Sequence, residues 1–165
     1  MTDEVAKLTV TSRLFDDGET IPTSAAHSLA GGNNTSPDLS WSGAPDGTRA
    51  FAVTCYDPDA PTGIGFVHWV VFNIDPSVTA LHAGVGGGEG LPPGSVLGYT
   101  DWGENAYGGM APPPGDEPHR YQFTVYALDT PLELGTSTTY AMLQFAMRGH
   151  VLAKGTLTGR FAVSP

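Results

Sequence analysis

Two histidines stand inside strand-like, otherwise apolar stretches: His68 in "GFVHWVVFNI" and His119 in "HRYQFTVYALD". A buried imidazole needs a hydrogen-bond partner or a water-filled pocket, so each is either a core histidine satisfied by a backbone carbonyl or part of a site. Alternation along an extended chain puts His119 and Tyr121 on one face and Arg120 on the other. By the same rule His68 shares a face with Val70 and Phe72, opposite Trp69 and Val71. A third feature is "CYDPDAP", where Asp57 is in register with Cys55 and Val53 at the end of a strand. Its carboxylates suit an Asp-Pro turn in which each side chain accepts from a backbone amide. Asp57 equally suits a site wall, with Asp59 in support, bracing the corner. Ahead of His119, "PPPG" supplies a stiff loop with few side chains, whose backbone amides can face a ligand.

These residue types admit several chemistries. Asp57, His68 and His119 are acceptable zinc ligands that would leave one position for water, which makes a metal-dependent hydrolase the alternative function. No HExxH or similar short spacing accompanies them. Cys55 lies within an apolar strand, where a buried structural thiol is the usual case. Serine hydrolysis has no GxSxG elbow here, and "GVGGGEG" lacks the Lys-Ser/Thr ending of a phosphate-cradling loop. His27, His82 and His150 read as surface or structural, Asp38 as a turn residue and Trp41 as core. Asp101 and Trp102 sit in a long loop that the sequence does not place.

The elements that must position these groups are mostly strands. Apolar or alternating runs predict strands over Leu8–Leu14, Ala50–Tyr56, Gly65–Ile74 and His119–Asp129, with a short one at Leu39–Trp41. The 22 glycines and 14 prolines are spread along the chain, as in a fold of strands joined by turns. Long irregular connections run over 27–48, 84–95 and 101–118, and such loops in a compact domain often carry function. One stretch is helical in pattern: Tyr140, Leu143, Ala146 and Met147 recur at helical spacing within 138–152, and Ser137 or Thr138 can cap its start. The fold class expected is mainly β: a two-sheet antiparallel β-sandwich with Greek-key-like crossings and one C-terminal helix, forming a single domain over 1–165. With 17 acidic against 7 basic residues the net charge is −10, which disfavours nucleic acid and bulk anionic membrane as partners. The single cysteine excludes an internal disulfide. No apolar stretch is long enough for stable membrane insertion, and residues 1–7 are unlike a secretory signal, so a cytoplasmic location is expected.

The blocks "SPDLSWSGAP", "FAVTCYDPDAP", "GFVHWVVFNI", "YGGMAPPPG" and "HRYQFTVYALD" together resemble the phosphatidylethanolamine-binding protein family, also called Raf-kinase-inhibitor-like proteins. They follow the family's order from Ser36 to Asp129, and the closing "FAMRGHVLAKGTLTGRF" is similar to the bacterial and archaeal branch. The resemblance implies a non-enzymatic protein, with no catalytic residues, metal or cofactor. It implies a small pocket for an anion such as phosphate or a phosphorylated headgroup at one end of the sandwich. It assigns Asp57, Pro61, His68, His119 and Tyr121 to that pocket, together with the loop of Gly109, Ala111 and Pro112. Met110 and Ala111 stand where the eukaryotic pattern has Ser and Gly, so Met110 is at most a supporting residue and the Ala111 amide is the candidate donor. The imidazoles, the Tyr121 hydroxyl and a loop amide suit a phosphate, and Asp57 can orient a histidine and raise its pKa. Affinity should then rise as pH falls through the histidine range. The resemblance further implies a homodimer and a possible protein kinase or protease as partner.

Overall fold

The computed structural model describes residues 5–165. Nine strands are formed among them: β1 (Ala6–Lys7), β2 (Thr9–Thr11), β3 (Leu39–Ser42), β4 (Ala50–Asp57), β5 (Phe66–Ile74), β6 (Ala80–Leu81), β7 (Val96–Leu97), β8 (His119–Leu128) and β9 (Val151–Phe161). One helix, α1 (Tyr140–Met147), precedes β9. A six-stranded sheet runs in the order β1-β9-β8-β4-β5-β7, and a three-stranded sheet in the order β2-β3-β6. The mainly β, two-sheet fold with a single late helix is as the sequence predicts. The four strand predictions from Leu39 onward match β3, β4, β5 and β8 to within a residue or so at each end.

The large sheet is buried on both faces, which is why β4 and β5 read as continuous apolar runs. One face, with Val53, Cys55, Phe123, Val125 and Leu157, packs against Val10, Leu39, Trp41 and Leu81 of the small sheet. The other face, with Ala52, Val70, Phe72 and Leu128, is covered by Leu143 and Met147 of α1. The apolar stripe predicted for the helix therefore faces the sheet, with Tyr140 and Ala146 partly buried at its margin.

Three expectations need correction. The single strand over Leu8–Leu14 is instead a crossing between sheets. Ala6–Lys7 pairs parallel with β9, whereas Thr9–Thr11 pairs antiparallel with β3. Leu8 is the pivot: its side chain is buried and its amide donates to the Lys154 carbonyl at 3.0 Å. Gly155 makes the close approach possible, because a Cβ there would overlap the Leu8 carbonyl. The parallel β1–β9 pair is also an exception to the all-antiparallel expectation. The helix, finally, is shorter than 138–152. Thr139 is its cap, with Oγ1 accepting from the Met142 amide at 3.2 Å. Gly149, at φ +83°, ends the turn after the helix, and Val151 and Leu152 already belong to β9. Helical spacing runs on into these residues, but pairing with β8 outweighs local propensity there.

Leu143 is fully buried between α1 and the sheet. Leu143→Ala should lower the unfolding free energy by about 2–5 kcal/mol, the usual range for a large-to-small change in a packed core. Urea denaturation is the measurement; a loss below ~1 kcal/mol would contradict the packing described.

Candidate functional site

Because β4 is antiparallel to both β5 and β8, its C-terminal end lies beside the N-terminal starts of both neighbours. That alone collects Asp57, His68, His119 and Tyr121 at one end of the large sheet. They line a cavity of about 200 Å³, with Pro61 from the turn after β4 and Ala111 and Pro112 from the loop before β8. Ala60, Thr62, Phe66, Trp102 and Pro113 complete the walls. Strand alternation holds on β8, where His119 and Tyr121 turn inward and Arg120 outward.

Alternation fails at His68. Cys55 is opposite Trp69 and Tyr56 is opposite Val67, so His68 is the extra residue of a β-bulge. Val70 and Phe72 pack beneath α1, but His68 does not join them. Its ring lies edge-on to Tyr121, with centroids 5.2 Å apart, on the cavity wall. The bulge, which no residue pattern announces, is what turns the imidazole into the site.

His68 and His119 occupy opposite electrostatic states. His68 Nδ1 donates to the Gly108 carbonyl at 2.7 Å, so the indole N–H of Trp102, 3.4 Å away, finds no lone pair there. Burial lowers the His68 pKa to about 4, against the upward pull of Gly108 and Asp57. The neutral ring then presents Nε2 as an acceptor. His119 sits between two carboxylates, with Nδ1 2.8 Å from Asp57 Oδ2 and Nε2 3.0 Å from Asp116 Oδ2. Burial opposes its charge, but the hydrogen bonds and charges of Asp57 and Asp116 outweigh burial and raise its pKa above the ordinary imidazole value. The other oxygen of Asp57 accepts from the Asp59 amide at 2.7 Å, so the turn geometry and the site share one carboxylate.

Asp59 lies outside this cavity. It accepts from the Arg120 amide, Nε and Nη2 at 2.8, 3.0 and 2.9 Å, and this pairing holds its pKa at about 2. It ties the corner to β8. Gly109 and Met110 also fall away from the walls. The Gly109 amide donates to Asn34 Oδ1 at 2.6 Å, and a side chain there would overlap the Ala25 carbonyl. Met110 is buried in the core, with its carbonyl accepting from the His27 amide. Of the three, only Ala111 reaches the cavity, and its amide has no acceptor among the described residues.

Trp102 is a wall that the sequence could not place. Its indole stacks on His27 at 4.1 Å and meets Phe66 edge-on at 5.2 Å. Gly108 has no room for a side chain because a Cβ would overlap the indole. The adjacent Asp101 instead accepts from the Val67 amide at 2.8 Å, pinning the loop to β5. Asp116 carries no sequence signal: it sits in a polar, turn-like "GDEP" with nothing to separate it from a solvated loop acid. Among the described residues no group of three or more His, Cys, Asp or Glu converges as metal ligands. The Asp57, His68 and His119 set does not fit zinc, since both nitrogens of His119 face carboxylates and His68 Nδ1 faces a carbonyl.

These environments give opposite pH signatures. Protonated His119 favours the fold: its contribution is full below the ordinary imidazole pKa and is lost as pH rises through the raised value. For His68 the contribution is full above its ordinary 6.5 and is lost as pH falls toward about 4. That loss is on the order of 3 kcal/mol. Imidazole NMR titration should therefore find His68 neutral down to about pH 4. In Asp57→Asn, the same titration should show the His119 pKa falling. Ordinary titration of both rings in the wild type would refute the site's electrostatics.

Comparison with known proteins agrees with the fold. The sequence profile described as "Phosphatidylethanolamine-binding protein" matches residues 11–162. The UPF0098 protein YbcL of Escherichia coli is 44% identical over 160 residues, covering 94% of this chain and 87% of that protein. YbhB of the same organism is 43% identical over 150 residues, covering 88% and 94%. The crystal structure of E. coli YbcL, described as a new member of the mammalian PEBP family, superposes with a TM-score of 0.92 at 43% identity, covering 96% of this chain and 100% of that one. A carboxypeptidase Y inhibitor, solved with its cognate proteinase, shares the fold at a TM-score of 0.51 and 21% identity, over 90% and 76% of the two chains. With sequence and architecture both matching across nearly its whole length, the chain belongs to the phosphatidylethanolamine-binding protein family.

Proposed function

We propose that this protein binds rather than transforms its ligand, and that the cavity accepts a small singly charged anion: free phosphate or a phosphorylated headgroup. The observation that carries the proposal is an unspent donor, the Ala111 amide, facing the same cavity as the Tyr121 phenol, which is directed at Asp57, and His119, whose protonated form is favoured by its two carboxylates. The Ala111 amide has no protein acceptor. The Tyr121 phenol is kept protonated, first by burial and then by the Asp57 charge. No Lys or Arg lines the cavity, so the anion's charge is balanced by protons. A singly ionised phosphoryl group accepts from Tyr121 and Ala111 while its own P–OH donates to Asp57 or to His68 Nε2. A dianion must bring a proton with it, and binding tightens as pH falls.

The absence of an activated nucleophile among the described residues supports binding over catalysis. The Cys55 thiol has its pKa raised by burial and then by Asp57, and the Thr62 hydroxyl is committed to the Gly65 carbonyl at 2.5 Å. Regulation of a protease or kinase is the second reading, and what supports it is the shared fold of a proteinase inhibitor. A cytoplasmic homodimer remains part of the proposal; among the described residues no helix is long and apolar enough to cross a membrane.

Calorimetry with phosphate and phosphorylethanolamine, run in buffers of different ionisation enthalpy, tests the scheme. Expected are saturable binding with net proton uptake, tighter at pH 5.5 than at pH 8 after correction for ligand ionisation. Affinity should fall about tenfold or more in His68→Ala and Tyr121→Phe, the loss expected when a buried partner is removed. No binding by the wild type, or pH-independent affinity, would refute it. A stoichiometric transition metal in the purified protein would reinstate the hydrolase alternative.

A further inference from the structure

We propose that the groove between α1 and the start of β9 docks an acidic polypeptide segment of another protein, one that carries a bulky apolar side chain. The groove has a volume of about 500 Å³ and lies on the face of the large sheet away from the small one. None of its nine lining residues is acidic, in a chain with 17 acids against 7 bases. Two of the nine, Arg148 and Lys154, are cationic, and Lys7 is the cross-strand partner of Lys154. None of these three cations has an ion-pair partner among the described residues. Asp129, which closes the turn nearby, is engaged with His150 at 2.8 Å.

The apolar half of the argument is on α1. Phe145 is 79% exposed and Met142, one turn earlier, is 45% exposed. Both stand on a short helix whose opposite face already covers the core through Leu143 and Met147. Phe145 and Tyr126 contribute to the groove walls. Apolar surface rimmed by unpaired charge of one sign is the pattern of an interaction site. Beyond Lys154 the outward residues of β9 are Thr156 and Thr158, neither of them acidic. At Arg160 the surface turns mixed, with Asp59, Asp116 and Glu117 beside it and Arg120 paired to Asp59, so the basic patch is confined to the groove.

Charge selects the occupant. A two-fold contact with a second copy through this groove would set Arg148 and Lys154 against their own kind. An anionic bilayer would be opposed by the net charge of −10 and would not fill a concave site. An acidic segment with one large apolar residue satisfies both halves: its anchor covers Phe145 and its carboxylates meet Lys154 and Arg148.

The test is fluorescence anisotropy of a labelled tryptophan–oligoglutamate peptide titrated with the full-length protein. Ionic strength of about 0.1 M limits long-range repulsion to a Debye length near 10 Å. Saturable binding is expected, weakened about tenfold by Lys154→Glu and by Phe145→Ala, as for interface anchors. Both positions are exposed, so unchanged unfolding midpoints should show that the variants fold. Asp57→Asn, in the cavity at the other end of the sheet, should bind as the wild type does. Absence of binding by the wild type, or wild-type affinity in either groove variant, overturns the proposal. Equal binding of a tryptophan–oligoserine peptide removes the acidic specificity and does the same. Sedimentation that reveals self-association, or cosedimentation with phosphatidylglycerol vesicles, abolished in either case by these variants, would assign the groove to a second copy or to a lipid surface instead.

Discussion

The antiparallel pairing of β8 with β4, unbroken from Ala50–Leu128 to Tyr56–Gln122, is the constraint on which the site depends. It brings His119 beside Asp57, 62 positions earlier in the chain, within hydrogen-bond distance. A buried carboxylate or imidazolium alone would carry a large desolvation penalty, whereas the hydrogen-bonded pair is tolerated. The strand register alone sets this pair, and the loop before β8 adds only Asp116 on the far side of the ring.

The two histidines show how the same side chain acquires opposite chemistry from backbone context. His119 is held by alternation on a regular strand between two carboxylates. His68 is displaced by a bulge onto a carbonyl, within an apolar wall. One imidazole is favoured in its charged form and the other in its neutral form, on the walls of one cavity that carries no Lys or Arg. Pairs of titratable groups whose environments push their pKa values apart are characteristic of functional sites, and here the divergence comes from hydrogen-bond partners and burial.

Much of this was legible in the chain. The alternation "HRY" gave the directions of His119, Arg120 and Tyr121, and the prolines of "DPDAP" marked a corner. The helical stripe at Tyr140, Leu143, Ala146 and Met147 identified the covering helix, though not its ends, because β9 recruits the residues after Gly149. The first strand departs from its pattern for a related reason: alternation from Leu8 onward is local, but a change of sheet at Leu8 is a property of the partners. Trp102, Phe66 and Asp116 join the site through loop packing, and their local sequence looks no different from that of ordinary surface or core residues.

By itself the sequence determined the fold class, the family and most of the residues that gather at the cavity, because strand periodicity and turn chemistry are written in short stretches of chain. It also determined the acidic balance that limits what the protein can approach. The tertiary structure decided which way each group faces and what it touches. It turned His68 inward by a bulge, withdrew Gly109, Met110 and Asp59 from the cavity, and set Trp102 into its wall. It also collected a minority of cations beside an exposed Phe145. These outcomes depend on register and on contacts between distant segments, which a one-residue shift in pairing would reverse.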